Sequence, residues 1–410
     1  MGLFDYFKSK SLAPKAQSSA GTFRGFDDPA FLEFIRSGAG AETESGVTVT
    51  VEKALKNTTL MRCVSLISFC IGNLPLHLRE RDTKHKAEQH PLYSLLQKPN
   101  NWQTRFQFRS LMQYRALVYG DAYARIIWSG QKPIALIPIS NERIKPKQLD
   151  NFDVLYEYTS PNGRQITLNW KDVFHISYGI SHDGLTGVSL VKEAAEAIGL
   201  AIQTEKAAAR LFTKGMLAGG ALEATGALSD EAFNRLKKSM EKHEGADNAH
   251  QWLILEEGLK ANTFNQTGRD SQHIETRKHQ IEEIARPFGV PRPLLGVDDT
   301  SWGSGIDVLG QFFVRYGLNP WFVAWEQAIE RDLLSDREAT QYEAKYNANA
   351  LLRGSMKEQA EYWALALGAG GHHPWLLQEE VRELDDRPRA ADLGKGFAHK
   401  EATNVTTEST

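Results

Sequence analysis

Apolar residues change their spacing several times along the chain, and each change marks an element boundary. Val47, Val49 and Val51 alternate with polar residues, which predicts a short strand opening the folded body. Thr58 or Thr59 is placed to cap a helix running to about Gly72, which then passes into a strand. "HPLYSLLQKPNNWQTRFQFRSLMQYRALVYGDAYARIIW" predicts two further helices. Phe108, Leu111, Met112, Arg115 and Val118 keep helical spacing, and "DAYARIIW" turns into strand. From Ile134 to Ser177 short strands alternate with turns, including a hairpin about Asn162-Gly163, a dipeptide suited to tight turns.

A long helix is predicted from about Val188 to Thr213, with Val191, Ala194, Ala195, Ile198, Ala201 and Ile202 on one side. Its small side chains let a neighbouring helix approach closely. About 50 residues then read as strand, helix capped at Ser229, strand, turn at Glu257-Gly258 and strand. A second helix, about Asp270 to Arg286, carries Ile274, Arg277, Ile281, Ile284 and Phe288 near a 3-4 repeat. It stops at "RPFGVPRPLLG", where three prolines forbid continuation. After "VDDTSWGSG" a third long helix, about Ile306 to Leu334, should be kinked by Gly310, Gly317 and Pro320. "QYEAKYNAN" is strand-like, "LLRGSMKEQAEYWALALGAGG" and "PWLLQEEVREL" are helical, and a polar tail begins near Leu393. Residues 1 to about 45 read as an arm rich in Lys, Ser, Ala and Gly, with one short helix near Pro29–Arg36.

The alternation of strand-rich and helix-rich stretches gives an α+β class. The 410 residues suffice for two to four structural units of about 100–200 residues each. With 41% hydrophobic and 24% charged residues the chain is globular rather than disordered. Its net charge of −3 lacks the bias of a protein that grips DNA phosphates, so nucleic acid should pass it more readily than be held. Cys63 and Cys70 sit two helical turns apart, about 10 Å of rise, too far for a disulfide. Both are expected as core thiols in a reducing compartment. The longest apolar stretch, Leu60–Leu78, contains Arg62, Asn73 and Pro75, so no membrane span is expected. Met1–Lys10 is too short in apolar residues for a signal-peptide core.

Catalytic candidates are few. "GAGGHHP" and "GMLAGG" lack the Gly-Lys-Ser/Thr ending that cradles phosphates. Glu275, His279, Glu282 and Glu283 share one helical face with a spacing open to metal, but Arg277, Lys278 and Arg286 surround them and a polar surface accounts for them. His372-His373 reads as an exposed pair. Ser181 to Gly184, "SHDG", packs hydroxyl, imidazole and carboxylate into one turn, too close for a catalytic relay. Asp298 and Asp299 could serve Mg²⁺ in a nuclease, yet no further carboxylate cluster completes a two-metal site. No catalytic residue, metal ligand or cofactor is therefore assigned. A metal-dependent nuclease using these aspartates, or a monomeric DNA-binding module, remains the competing reading.

The order helix, small α/β insert, helix, loop, kinked helix resembles the portal proteins of long-tailed bacteriophages, the head-to-tail connector rings. "YGDAYARI", "DGLTGVSLVKEAAEAIGLAIQTEKAAARLFTKG", "LSDEAFNRLKKSMEKHEGADNAHQWLILEEGLK", "ETRKHQIEEIARPFGVPRPLLG" with Thr300-Ser301-Trp302-Gly303, "LLRGSMKEQAEYW" and "PWLLQEEVRELDDRP" carry the likeness across roughly residues 45 to 390. It implies a portal-type ring subunit. A flexible arm (1–45) precedes a wing (46–187). Stem helices (188–216 and 268–289) flank a clip (217–267). Then come the tunnel loop, kinked helix and wing return (290–348), a helical crown (349–393) and a disordered tail (394–410).

By the same resemblance the ring is a dodecamer at one capsid vertex of the virion, assembled in the host cytoplasm. Double-stranded DNA passes through it. Its partners would be the terminase large subunit, a head–tail connector or adaptor protein, and the major capsid and scaffold proteins; no membrane is involved. Val297, Asp298, Asp299, Trp302, Gly303 and Gly305 are expected in the tunnel loop facing DNA, the aspartates repelling phosphate. Val191, Ala194 and Ala201 are expected to pack on Ile274, Ile281 and Ile284 of a neighbouring subunit.

Overall fold

A computed structural model describes residues 41–214, 220–223, 229–242, 260–263, 267–296, 305–348 and 356–385. The expected short helix near residues 29–36, the strand and turn expected within 243–259, and the polar tail lie outside the described residues.

The body opens with a two-residue antiparallel pair, β1 (Ala41–Glu42) and β2 (Thr48–Val49). Val51, which alternation groups with a strand, instead starts a one-turn helix, α1 (Val51–Ala54), because the Thr50 side chain accepts a hydrogen bond from Lys53 N and turns the chain. Helix α2 (Thr58–Asn73) is capped by Asn57 rather than by either threonine. Asn57 Oδ1 accepts from the backbone N–H groups of Thr59 and Leu60, both at 3.1 Å, and a cap of this kind stabilises a helix by about 1 kcal/mol. Its other end is held from outside. Buried Arg109 donates to the carbonyl of Leu74 at 2.7 Å.

After β3 (Leu76–Glu80) and α3 (Pro91–Gln97) comes α4 (Arg105–Tyr119), whose start is fixed by a reciprocal box between Thr104 and Gln107. Gly120, at φ +92, ends it and releases β4 (Asp121–Ser129). This strand lies between β5 (Lys132–Ile139) and β9 (Val173–Ser177), antiparallel to both. Between those two partners the chain folds a second antiparallel sheet, β6 (Ile144–Gln148), β7 (Val154–Thr159) and β8 (Gln165–Asn169), with Gly163 at φ +79 in the expected hairpin turn.

Strand alternation sorts the central sheet onto two cores. Ala122, Ala124, Ile126, Phe174 and Ile176 face the large core shared with α2 and α4, whereas Tyr123 and Val173 face a smaller one with Ile144, Tyr156 and Leu168.

The helix expected from Val188 breaks at Ala194 into α5 (Leu190–Glu193) and α6 (Ala195–Lys214). Strand β10 (Gly220–Glu223), helix α7 (Asp230–Lys242) and β11 (Lys260–Thr263) form the excursion, β10 antiparallel to β11. Helix α8 (Thr267–Ala285) leads back.

Helix α9 (Gly305–Phe312) runs through a π-helical turn, Phe313–Leu318, into α10 (Asn319–Leu333). α10 packs on the sheet through Trp325, whose ring lies 5.9 Å from Phe174 and whose Nε1 donates to Gln113 Oε1 at 2.8 Å. After α11 (Asp336–Gln341), β12 (Tyr342–Tyr346) pairs antiparallel with β3, closing the body with a strand more than 260 positions away. Buried Glu326 fixes that closure by accepting from Lys345 Nζ at 2.7 Å and Tyr346 N at 3.0 Å. Helices α12 (Met356–Ala366) and α13 (Gln378–Leu384) follow. Among the described residues no helix is long and apolar enough to cross a membrane.

Candidate functional site

Three structural features converge where the helix pair meets the body. The first is a close backbone crossing. A Cβ on Gly120 would lie 2.1 Å from the carbonyl oxygen of Gly187, so only glycine lets the end of α4 touch the start of the helical excursion. Tyr178 N donates to Gly120 O at 2.8 Å, and Ser189, the cap of α5, donates its hydroxyl to Val118 O at 2.5 Å. Before it, Ser181–Gly187 is the expected turn. Asp183 accepts from Leu185 N, Thr186 N and Thr186 Oγ1, and those bonds hold its exposed carboxyl well below the usual carboxylate range.

The second feature is the contact between α6 and α8. Val191, Ala194, Ala195, Ile198 and Ala201 from the first stretch, and Ile284, Ala285 and Phe288 from the second, are all buried in one core of the same chain. Thr204 Oγ1 accepts from Gln280 Nε2 at 2.8 Å between the two helices. Val191, Ala194, Ala201 and Ile284 are covered within the chain itself, because the small residues let the chain's own elements close on them. Ile281 is half-buried. Ile274 lies on α8, ten residues before Ile284.

The third feature is the bent path after α8. Ala285 is followed by a 3₁₀ turn at Arg286–Phe288, where Pro287 stops the α-helix as expected. Gly289, at φ +63, redirects the chain into a second 3₁₀ turn, Arg292–Leu295, and Gly296, at φ +74, ends that turn. Val297, Asp298, Asp299, Trp302 and Gly303 lie outside the described residues; Gly305 is the first residue of α9. The expected kink in the third helix takes the form of the π turn, in which Asn319 N–H reaches back five residues to Val314 O. Gly317 permits it, since a Cβ there would sit 3.0 Å from Gly289 O and 2.9 Å from the Phe313 ring. Val308, Phe312 and Tyr316, spaced four apart, stay more than half exposed, with the last two rings 4.6 Å apart.

A buried polar network, missed in the sequence, ties the body to α10. His175 Nε2 lies 2.8 Å from Asp121 Oδ1, which also accepts from Gly187 N at 2.9 Å. His175 Nδ1 is 3.1 Å from the Tyr156 hydroxyl. The ring stacks on Tyr123 at 4.5 Å. On its backbone, His175 N donates to Asp332 Oδ2 at 3.0 Å, and Arg331 donates to His175 O at 2.6 Å while pairing with Asp332. Burial, reinforced by Asp121, raises the Tyr123 phenol; burial, with Asp332 adding to it, raises Tyr156. These residues come from four separate strands and helices, so no local spacing announced them.

His279 lies 3.8 Å from Glu283, Glu282 pairs with Arg292 at 3.1 Å, and His372 and His373 are exposed. Among the described residues no three His, Cys, Asp or Glu side chains are grouped to hold a metal ion.

The fold defines a class first. A chain from the neck of a native gene transfer agent particle, computed with C12 symmetry, superposes with a TM-score of 0.58 at 24% identity, over 87% of this chain and 98% of that one. The two chains share this mixed helix-and-sheet fold. The family model for the phage portal protein matches residues 58–386, and the chain belongs to that family. The portal protein of Enterobacteria phage HK97 is 30% identical over 351 residues, covering 83% of this chain and 81% of its own length. A probable portal protein of Streptomyces phage phiC31 is 29% identical over 379 residues, covering 87% and 80%.

Proposed function

We propose that this chain is a non-catalytic conduit. Copies close into a ring, a dodecamer in the assembled particle, at one capsid vertex, and double-stranded DNA is packaged and later ejected through its channel. The observation that carries this reading is the family match over residues 58–386, reinforced by the fold shared with a neck chain of twelvefold symmetry. In this reading 46–187 is the wing, 188–216 and 268–289 the stem, 217–267 the clip, 290–348 the tunnel loop, kinked helix and wing return, and 349–393 the crown.

The terminase large subunit, and afterwards a head–tail connector or adaptor, dock at the clip; the major capsid and scaffold proteins surround the ring in the virion assembled in the host cytoplasm. Two features of the chain fit a passage rather than a grip. Its net charge of −3 supplies no basic surplus for phosphate, and every phosphate neutralised would add salt-dependent affinity that opposes movement. Gly289 and Gly296, both at positive φ, give the path that follows the second stem helix backbone angles suited to rearrangement.

Native mass measurement with electron microscopy tests the reading. Closed rings that leave DNA intact in Mg²⁺ are expected; a monomer, or Mg²⁺-dependent cleavage lost on Asp298→Asn, overturns it.

A further inference from the structure

A groove of about 560 Å³ opens where the chain's first described residues cross α6 and the end of α8. Its rim carries Glu44, Glu193, Glu196 and Glu283 against a single cation, Arg286. Its floor is apolar and includes Leu200, which is 50% exposed. Four carboxylates round an apolar floor repel phosphate and favour a basic, aromatic occupant.

The chain supplies such a segment. Residues 1–26 contain Lys8, Lys10, Lys15 and Arg24 against one acidic residue, Asp5, and they cluster Phe4, Tyr6 and Phe7. The chain that follows it enters the described fold at the groove itself, after residues 27–40. β1 begins at Ala41, three residues before Glu44, whose backbone N–H donates to the Glu196 carboxylate at 3.2 Å. Between Lys15 and Ala41 the chain can span tens of ångströms at about 3.3–3.6 Å per residue, ample for doubling back.

We propose that this groove seats the chain's own N-terminal arm. The Phe4–Phe7 cluster covers Leu200, and the lysines pair with the carboxylate rim.

The test uses the full chain, with isotopically labelled and unlabelled copies mixed. A carbodiimide joins a lysine amine to a nearby carboxylate as an amide, with loss of water, and mass spectrometry reads the linked peptides. Links from Lys8, Lys10 or Lys15 to Glu44, Glu193, Glu196 or Glu283 within single copies are expected. In a Glu193→Lys, Glu196→Lys variant the remaining links to Glu44 and Glu283 should fall about fivefold, the scale of a few exposed ion pairs. Leu200→Ser, at an exposed position that leaves the charges in place, should lower the yield as well. Links no more frequent than those to carboxylates elsewhere overturn the proposal. Links found only between labelled and unlabelled copies overturn it too, by giving the groove to a neighbour's arm.

Discussion

His175 Nε2 and Asp121 Oδ1 lie 2.8 Å apart, on adjacent strands, with both side chains less than a tenth exposed. The ring's other nitrogen, Nδ1, lies 3.1 Å from the Tyr156 hydroxyl, so one imidazole bridges a carboxylate and a phenol. His175→Phe fills the space but strands both partners. Loss of stability of about 2–3 kcal/mol is expected, read from the shift in the denaturant midpoint at unchanged slope. A shift below experimental error shows that the network is dispensable.

Ala201 separates two accounts of the helix pair. Since it is 3% exposed inside the chain's own core, Ala201→Phe overpacks the single subunit by about 1–3 kcal/mol. Thermal unfolding of unassembled subunits should therefore fall. Unchanged subunit stability with impaired ring closure would return this residue to an intersubunit role.

Gly317→Val should force α9 and α10 away from Gly289, since the added carbon meets a carbonyl oxygen and the Phe313 ring at 3.0 Å or less. A cost on the order of 1–3 kcal/mol follows, together with faster amide exchange across Phe313–Leu318. Exchange indistinguishable from the parent chain would mean that the contact gives way freely.

Two pH effects of opposite sign are expected. Burial pushes the Cys63 thiol up to about 12, so its contribution to stability is intact below the ordinary thiol range and is lost as pH climbs toward that value. Iodoacetamide should accordingly spare Cys63 in the folded chain. Asp183 is shifted downward by its hydrogen bonds, so its support of the Ser181–Gly187 turn is present at neutral pH and drains away as pH falls below about 4. NMR of the Leu185 and Thr186 amides against Asp183→Asn checks this, the variant being flat across the acidic range.

In the proposed conduit, Asp298→Lys with Asp299→Lys should slow packaging into preassembled proheads, most strongly at low salt, while rings still form. Gly303→Val should shorten the length of DNA retained. Normal rates for the lysine pair at low salt would remove this loop from the DNA path.

Local periodicity was enough to read the helices, the Asn162-Gly163 hairpin and the stop at Pro287, because each depends on neighbours within one or two turns. It misjudged Val51 and the cap of α2, where one side chain, Thr50 or Asn57, decides the boundary. It could not show that Ala194 and Ala201 are buried within the chain itself, since an apolar helix face does not say which surface covers it. The Asp121–His175–Asp332 network was invisible for another reason: its members are separated by up to 211 positions and meet only after β9 has paired with β4 and packed on α10.

The π turn at Phe313–Leu318 has a consequence for how motion could pass along this helix. A five-residue return, as from Asn319 to Val314, holds one residue more than an α-helical path would. Moving that surplus residue past a given side chain changes its angular phase by about 100° without breaking the helix elsewhere. The exposed ridge of Val308, Phe312 and Tyr316 therefore runs into the turn where the phase shifts, while Trp325 beyond it is buried in the body.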